Sequence, residues 1–122
     1  MQETLVHTET DERGVEYRLL ISPEDTEVRG NASASGDDEA DREAEDAILA
    51  ELESGNTWSW CSVRVQAKLG EFTGDDYLGC CSYRNTAEFI QQGGYWDDMK
   101  AEATVDLRGK LERASVALGS LL

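Results

Sequence analysis

One histidine, one proline, three lysines and three cysteines are all that these 122 residues hold of those four types. Each scarcity excludes something. With His7 alone, no multi-histidine metal site can be built, and most histidine-based nucleophile triads are ruled out. Cys61, Cys80 and Cys81 are odd in number, and adjacent thiols at 80–81 lack the two-residue spacer of zinc and redox motifs. They read as reduced, mostly buried core thiols. No run approaches the ~20 apolar residues that span a bilayer. The opening "MQETLVHTETDER" has no signal-peptide pattern, so a cytoplasmic location in a host cell is expected. The stretch "GNASASG" lacks the Lys-Ser/Thr of a phosphate loop and the strand that should precede it.

Bases are scarcest of all relative to their opposites, with 11 against 26 acids and a net charge of −15. Such a chain is repelled by nucleic acid and anionic membranes and drawn to basic protein surfaces. The charge is also segregated. Residues 36–53, "GDDEADREAEDAILAELE", hold nine acids and only Arg42 as a base, whereas 55–122 are close to neutral.

What remains is an ordinary apolar fraction with three Trp and four Tyr, which fits one folded domain over 1–122. Residues 1–13 are read as prone to fray. "VEYRLLI" (15–21) reads as a strand stopped by Pro23, and 29–36 as a loop. Ser35, with Asp38 three residues on, reads as the capping box of a helix over 37–53. Its buried stripe is expected at Ala40, Ala44, Ala47, Ile48 and Leu52, and Gly55-Asn56 ends it. "TWSWCSVRVQAKL" (57–69) alternates, with Cys61, Val63, Val65, Ala67 and Leu69 on one face and Trp58, Trp60, Arg64 and Lys68 on the other. "GEFTGD" (70–75) is a turn signal, and a second strand over 76–83 completes a hairpin. Asn85 and Glu88 mark a short capped helix through Gln92. Met99, Ala103, Leu107, Leu111, Ala114, Leu118 and Leu121 then predict a long amphipathic helix over 96–118. The fold expected is α+β: a small antiparallel sheet, strand plus hairpin, packed with an acidic helix and a long C-terminal amphipathic helix.

No constellation of catalytic residues emerges. The pairs Asp75-Asp76 and Asp97-Asp98 are read as a turn and a helix cap rather than a magnesium site. The aromatics Trp58, Trp60, Tyr77, Tyr83, Tyr95 and Trp96 are read as helix-on-sheet core, because the net charge opposes base stacking beside Arg64 and Lys68. Neither a catalytic residue, a cofactor nor a metal ligand is assigned.

The acidic helix is the feature to explain. Seventeen helical residues span ~26 Å, so eight net charges fall one per ~3 Å, close to the ~3.4 Å per charge of a DNA strand. Like charges at i,i+4, such as Asp37–Asp41 and Asp41–Glu45, also repel. A partner lined with Lys and Arg would relieve that repulsion. The competing readings are a solvated helix face and a halophilic surface, the latter weakened by the segregation of charge.

The segments "SGDDEADREAEDAILAELESG", "TWSWCSVRV", "GDDYLGCCSY" and "GGYWDDMKAEA" resemble a family of small acidic proteins of phages, prophages and their bacterial hosts. The similarity covers roughly residues 14–107. The resemblance implies a mobile-element setting and assigns no activity or catalytic residue. In that setting small acidic DNA mimics block restriction or CRISPR machinery, an analogy of setting rather than of residues. The expectation is a non-enzymatic inhibitor that places Asp37, Asp38, Glu39, Asp41, Glu43, Glu45, Asp46, Glu51 and Glu53 in the basic nucleic-acid channel of a host complex. It would bind neither nucleic acid nor membrane directly. The alternative is an antitoxin-like or scaffolding protein whose basic partner is bound without competing with nucleic acid. Reversing Asp38, Asp41, Glu45 and Asp46 is expected to leave stability equal or higher. The leucines at 107, 111, 118, 121 and 122 outrun a hairpin, which leaves either a fold-back on the first strand or a homodimer through this helix.

Overall fold

The computed structural model describes residues 2–121; Met1 and Leu122, the last of the expected C-terminal leucines, lie outside the described residues. The order is β1 (Thr4–Thr10), β2 (Glu16–Pro23), α1 (Asp38–Glu53), a 3-10 turn (Thr57–Ser59), β3 (Cys61–Leu69), β4 (Phe72–Cys81), α2 (Thr86–Phe89) and α3 (Tyr95–Leu121). The strands form one antiparallel sheet in the order β1-β2-β3-β4. The fold is α+β, with α3 laid across one face of the sheet.

That face follows strand alternation. Tyr17, Leu19 and Ile21 of β2 and Cys61, Val63, Val65 and Ala67 of β3 are buried beneath Trp96, Met99, Ala103 and Leu107 of α3. Val63 and Val65 are therefore core residues, while Arg64 points to the other side of the sheet and pairs with Asp75 at 2.9 Å and Glu3 at 2.9 Å. Among the described residues no helix covers that second face, and Tyr77 lies on it 69% exposed with the Arg64 guanidinium 5.9 Å above its ring.

The N-terminal segment expected to fray is instead the edge strand β1. Its β-prone Thr, Leu and Val pair with β2, and tertiary contacts fix it. The His7 ring packs edge-on against Trp96 at 5.5 Å, and Glu9 accepts from Lys100 of α3 at 2.5 Å. His7 is thus a packing residue. The β1–β2 turn closes on Asp11, whose carboxylate accepts from the Arg13 and Val15 amides, with Gly14 at φ +86°.

The β3–β4 turn is shorter than the sequence signal suggested. Gly70 and Glu71 make it, with Gly70 at φ +60°, and β4 runs from Phe72 rather than from 76. Gly74 belongs to the strand, where α3 approaches so closely that a Cβ would meet the Leu107 backbone. Along this edge Asp106 accepts from the Asp75 amide at 2.9 Å, and Lys110 donates to the Thr73 carbonyl at 2.9 Å. The i,i+4 pair of α3 thus occupies backbone groups that an edge strand otherwise offers to a foreign chain.

Other boundaries shift for local reasons. Residues 57–59 form a turn, and the two indoles beside it are buried: Trp58 donates to Thr86 Oγ1 at 2.9 Å and Trp60 to the Thr26 carbonyl at 2.6 Å. The aromatics do not form one cluster. Trp58, Tyr83 and Phe89 pack together, Trp96 joins the α3 core, and Tyr77 and Tyr95 are exposed. Asn85 caps α2 by accepting from Glu88 N at 2.9 Å, as its spacing predicts. Between Val63 and Cys61 the β4 strand carries one extra residue, a bulge that turns Cys80 outward at φ +54° and brings Cys81 opposite Cys61 on the core face.

Candidate functional site: the acidic helix and its loop

The start of the loop from β2 to α1 is anchored by one carboxylate. Glu24 accepts from the Thr26 amide at 2.9 Å, the Cys80 amide at 2.7 Å and Ser62 Oγ at 2.9 Å. The backbone donors, Thr26 first, hold its carboxyl down at about 2. This places Thr26–Gly30 against α1.

α1 does not start where the sequence suggested. Its N-cap is Asp37, whose carboxylate accepts from Glu39 N at 3.0 Å and Ala40 N at 3.2 Å. Ser35 faces forward instead. Its hydroxyl, its amide and the Ser33 hydroxyl all donate to Asp41 Oδ1, at 2.7, 3.0 and 2.8 Å. One turn further on, Glu45 accepts from the Gly30 amide at 2.8 Å and from Arg29 at 3.1 Å, and Arg29 also reaches Asp46 at 2.5 Å. These donors, Ser35 for Asp41 and Gly30 for Glu45, hold both carboxyls below their ordinary range, and Asp46 raises the Arg29 guanidinium.

The inward face of α1 is consequently polar in its first half. Glu45 is its one buried residue, flanked by half-buried Asp41, Ala44, Ile48, Leu49 and Leu52, whereas Ala40 and Ala47 of the expected apolar stripe are exposed. The stripe is rotated because the loop presents unpaired donors that acids satisfy and alanines cannot. Helix α1 rests on the 57–59 turn, where Ser59 Oγ donates to the Ile48 carbonyl at 2.9 Å, and adds no residue to the main core.

The nine acids thus divide. Asp37 is a cap, Asp41 and Glu45 dock the helix on its loop, Asp46 shares Arg29, and Glu51 accepts from Asn56 at 3.3 Å. Among the described residues Asp38, Glu39, Glu43 and Glu53 have no hydrogen-bonding or ion-pair partner for their side chains, and all four are exposed. Reversal of Asp41, Glu45 and Asp46 would remove the contacts that hold α1 to the loop, which opposes the expected tolerance at those three, and Asp38 sits in the first turn, where the dipole favours an acid. Glu51 and Glu53 also sit in the last turn, which holds no base, where the helix dipole disfavours acids.

Asp25 and Glu27, exposed on the loop, join this surface, although they lie outside the segment whose charge density drew notice. The signal was present as "EDTE" directly after the strand-stopping Pro23. Loop and helix enclose a groove of about 340 Å³ with Val28, Leu49, Leu52 and Trp60 at its floor and Asp25 and Glu27 at its rim.

Elsewhere, two of the four paired aspartates have structural partners, whereas among the described residues Asp76 and Asp98 have none and the Cys80 thiol is exposed. Asp75, in β4 rather than in a turn, pairs with Arg64, and Asp97 accepts from the Gly93 amide at 2.8 Å. Burial pushes the Cys61 thiol up to about 12 and the Cys81 thiol to about 11, which suits inert core positions. Among the described residues no three metal-ligating side chains converge, and no helix is long and apolar enough to cross a membrane. No family model, curated protein or solved structure matches the chain.

Proposed function

We propose that this protein is a non-catalytic binding module. It presents Asp38, Glu39, Glu43 and Glu53 of α1, with Asp25 and Glu27 of the loop, to the basic nucleic-acid channel of a host defence complex. In the phage or prophage setting that its sequence resembles, the target is a restriction or CRISPR-Cas nucleoprotein, and the acidic helix stands in for a nucleic-acid strand. The observation that carries this reading is the division of labour among the acids. Asp41 and Glu45 fasten α1 to its own loop, so the outward carboxylates are held in place before any partner arrives, and preorganised charge loses less on binding. A second reading is favoured by the apolar floor of the adjoining groove. Leu49, Leu52 and Trp60 beside acids suit a basic protein with an apolar anchor, bound in the manner of an antitoxin or scaffold. In either reading a second copy of the chain can associate through α3 without covering α1.

The test uses the chain as bait in lysate of a bacterial host, beside a variant carrying Asp38→Lys, Glu39→Lys, Glu43→Lys and Glu53→Lys. A captured nucleic-acid-binding complex that the variant does not hold, and that added DNA or RNA displaces, supports mimicry. Capture resistant to nucleic acid moves the assignment to the second reading. Equal capture by the variant removes both.

A further inference from the structure

Helix α3 has a second stripe beside the one that covers the sheet. Ala101, Thr104, Val105 and Arg108 recur at helical spacing and form one wall of a hollow of about 520 Å³. That volume lies within the ~300–1,000 Å³ of small-molecule sites. The β1–β2 turn supplies the facing wall through Glu9, Asp11 and Arg13, and Tyr17 and Lys100 complete the lining.

Most polar groups here are already committed to one another. Thr104 Oγ1 donates to the Lys100 carbonyl at 2.7 Å, so the 2.9 Å contact between the Thr104 and Tyr17 hydroxyls has Tyr17 as its donor. The Tyr17 oxygen in turn accepts from Arg13 Nη2 at 3.0 Å. Arg13 is held by Asp11 at 2.7 Å, and Lys100 by Glu9, with Asp97 at 3.6 Å. Arg108 is the base left over. Among the described residues its guanidinium has no hydrogen-bonding or ion-pair partner, and it is exposed. Arg13 and Arg108 also line an adjoining notch of about 130 Å³, walled by Val15, Leu69, Leu107 and Leu111. The two arginines therefore stand where a larger and a smaller hollow meet.

We propose that this hollow binds a small organic monoanion, a single carboxylate or sulfonate on an apolar body. The Arg108 fork takes the anionic head in paired, charge-assisted hydrogen bonds. The body lies along Ala101, the 59% exposed Val105 and the methylene stems of Arg13 and Lys100. One unpaired base matches one negative charge. A polyphosphate would set its further charges against Glu9 and Asp11 in a chain that is already −15. The site is also separate from the acidic surface. Tyr17 pairs with Ala67 near the far end of β3, whereas α1 rests on the turn that precedes Cys61.

Fluorescence titration of the full chain with anilinonaphthalene sulfonate, an aromatic monoanion, tests this without reference to the function proposed above. One probe should bind per chain with a Kd of roughly 10–100 µM, as its size implies. Octanoate should displace it, and octanol, the same alkyl chain without the charge, at least about tenfold less well. Arg108→Glu should raise the Kd at least about tenfold. Val105→Glu, which keeps every base and adds a carboxylate to the wall, should do the same. Both side chains are exposed, so circular dichroism should be unchanged, and if one variant loses its fold the other still decides. Two variants of α3 outside the hollow serve as controls. Arg113→Glu makes the same charge change as Arg108→Glu. Leu118→Glu alters the apolar helix end, where every described residue from Ser115 onward is exposed rather than folded back on β1. Both controls should bind like wild type. A folded Arg108→Glu or Val105→Glu that binds like wild type overturns the proposal. So does an equal loss in Arg113→Glu, which marks net charge alone, or in Leu118→Glu, which marks adsorption to the helix end. Octanol that displaces as well as octanoate overturns it too, as does no saturable binding below about 1 mM probe.

Discussion

Gly74 of β4 lies backbone to backbone with Leu107 of α3, so that a Cβ at position 74 would stand 2.7 Å from the Leu107 Cα and closer still to the Leu107 N and Ala103 O. None of these atoms belongs to a side chain that can swing away. Gly74→Ala must therefore lift α3 off the sheet edge, which also strains the Asp106 and Lys110 contacts to β4. Overpacking of this kind costs roughly 3 kcal/mol, a fall of about 10 °C in Tm for a chain of this size. A melting curve of the variant checks it, and wild-type stability would show that the helix sits farther out. Gly109→Ala on the same helix is the control. Its Cβ would meet only the end of the Arg113 side chain, at 3.3 Å. Removing an interior helix glycine should raise stability by about 0.5–1 kcal/mol.

The acids of α1 should separate cleanly by stability. Reversing Glu43 and Glu53 should leave Tm unchanged or raise it, because like-charge repulsion is relieved and the C-terminal turn loses an acid that the dipole disfavours. Asp38 and Glu39 sit in the first turn, where the dipole favours acids, and reversing them should cost about 0.3–1 kcal/mol each. Asp41→Ala and Glu45→Ala should each lower Tm, since the Ser35 and Gly30 amides lose their acceptors. Thermal melts of the sets side by side suffice. Equal behaviour would mean the loop does not hold the helix.

How much of this could be read beforehand differs from element to element. The β3 alternation at Cys61, Val63, Val65 and Ala67 was legible because a half-buried strand repeats with period two and the rest of the fold obeys it. The Asn85–Glu88 cap and the α3 stripe were legible for the same local reason. β1 was not, because "TLVHTET" alternates only weakly and becomes a strand through Trp96 and Lys100, ninety residues away in sequence. Gly74 looked like a turn glycine, since local sequence does not distinguish a tight turn from a close helix. The face of α1 was misread because apolar periodicity assumes that acids point outward. Arg29, Gly30 and the two serines reversed that for Asp41 and Glu45. The density of charge on α1 was plain in the sequence. Which carboxylates are free was not.

Acid should unfasten the β2–α1 loop. In the folded chain Glu24 holds its proton only near pH 2, against an ordinary 4.5, because protonation would weaken its acceptance from Thr26, Cys80 and Ser62. A depressed carboxyl contributes stability that is complete above its unfolded value and disappears as pH falls to the folded one. Tm should therefore decline between pH 4.5 and about 2, with Asp41 and Glu45, also lowered, adding to the slope. Glu24→Gln should be less stable than wild type at pH 7, and the difference should narrow toward pH 2. A constant gap across that range would show that Glu24 does not carry the effect.

The strand register offers a sharper test. Val63 is 1% exposed between Ile21 and Leu78, on the face under α3. Val63→Asp places an unpaired carboxylate there at a cost of several kcal/mol, a large part of the ~5–15 kcal/mol that stabilises a domain. The variant should be unfolded or collapsed at neutral pH. Arg64→Ala, one residue on and facing the open side, loses partly exposed ion pairs and should fold with a small drop in Tm. If the two variants behave alike, the alternation of β3 is wrong.

Binding through α1 should weaken as salt rises. Six outward carboxylates meeting a basic channel gain most of their attraction at long range, and a Debye length falling from about 14 Å near 0.05 M to about 7 Å near 0.2 M removes much of it. The captured complex should therefore lose affinity steeply over that interval, chiefly through slower association. The groove reading differs here. An apolar anchor on Leu49, Leu52 and Trp60 survives screening, so a scaffold-like partner keeps part of its affinity at high salt. Leu52→Asp then separates them further, because it spoils the groove floor while adding to the charge that a mimic uses. Affinity retained or raised in Leu52→Asp, with a steep salt slope, assigns the helix as a nucleic-acid substitute. Affinity lost in Leu52→Asp, with a shallow slope, assigns the groove. A salt-independent affinity that neither Leu52→Asp nor reversal of the four outward acids of α1 alters would detach binding from α1 altogether.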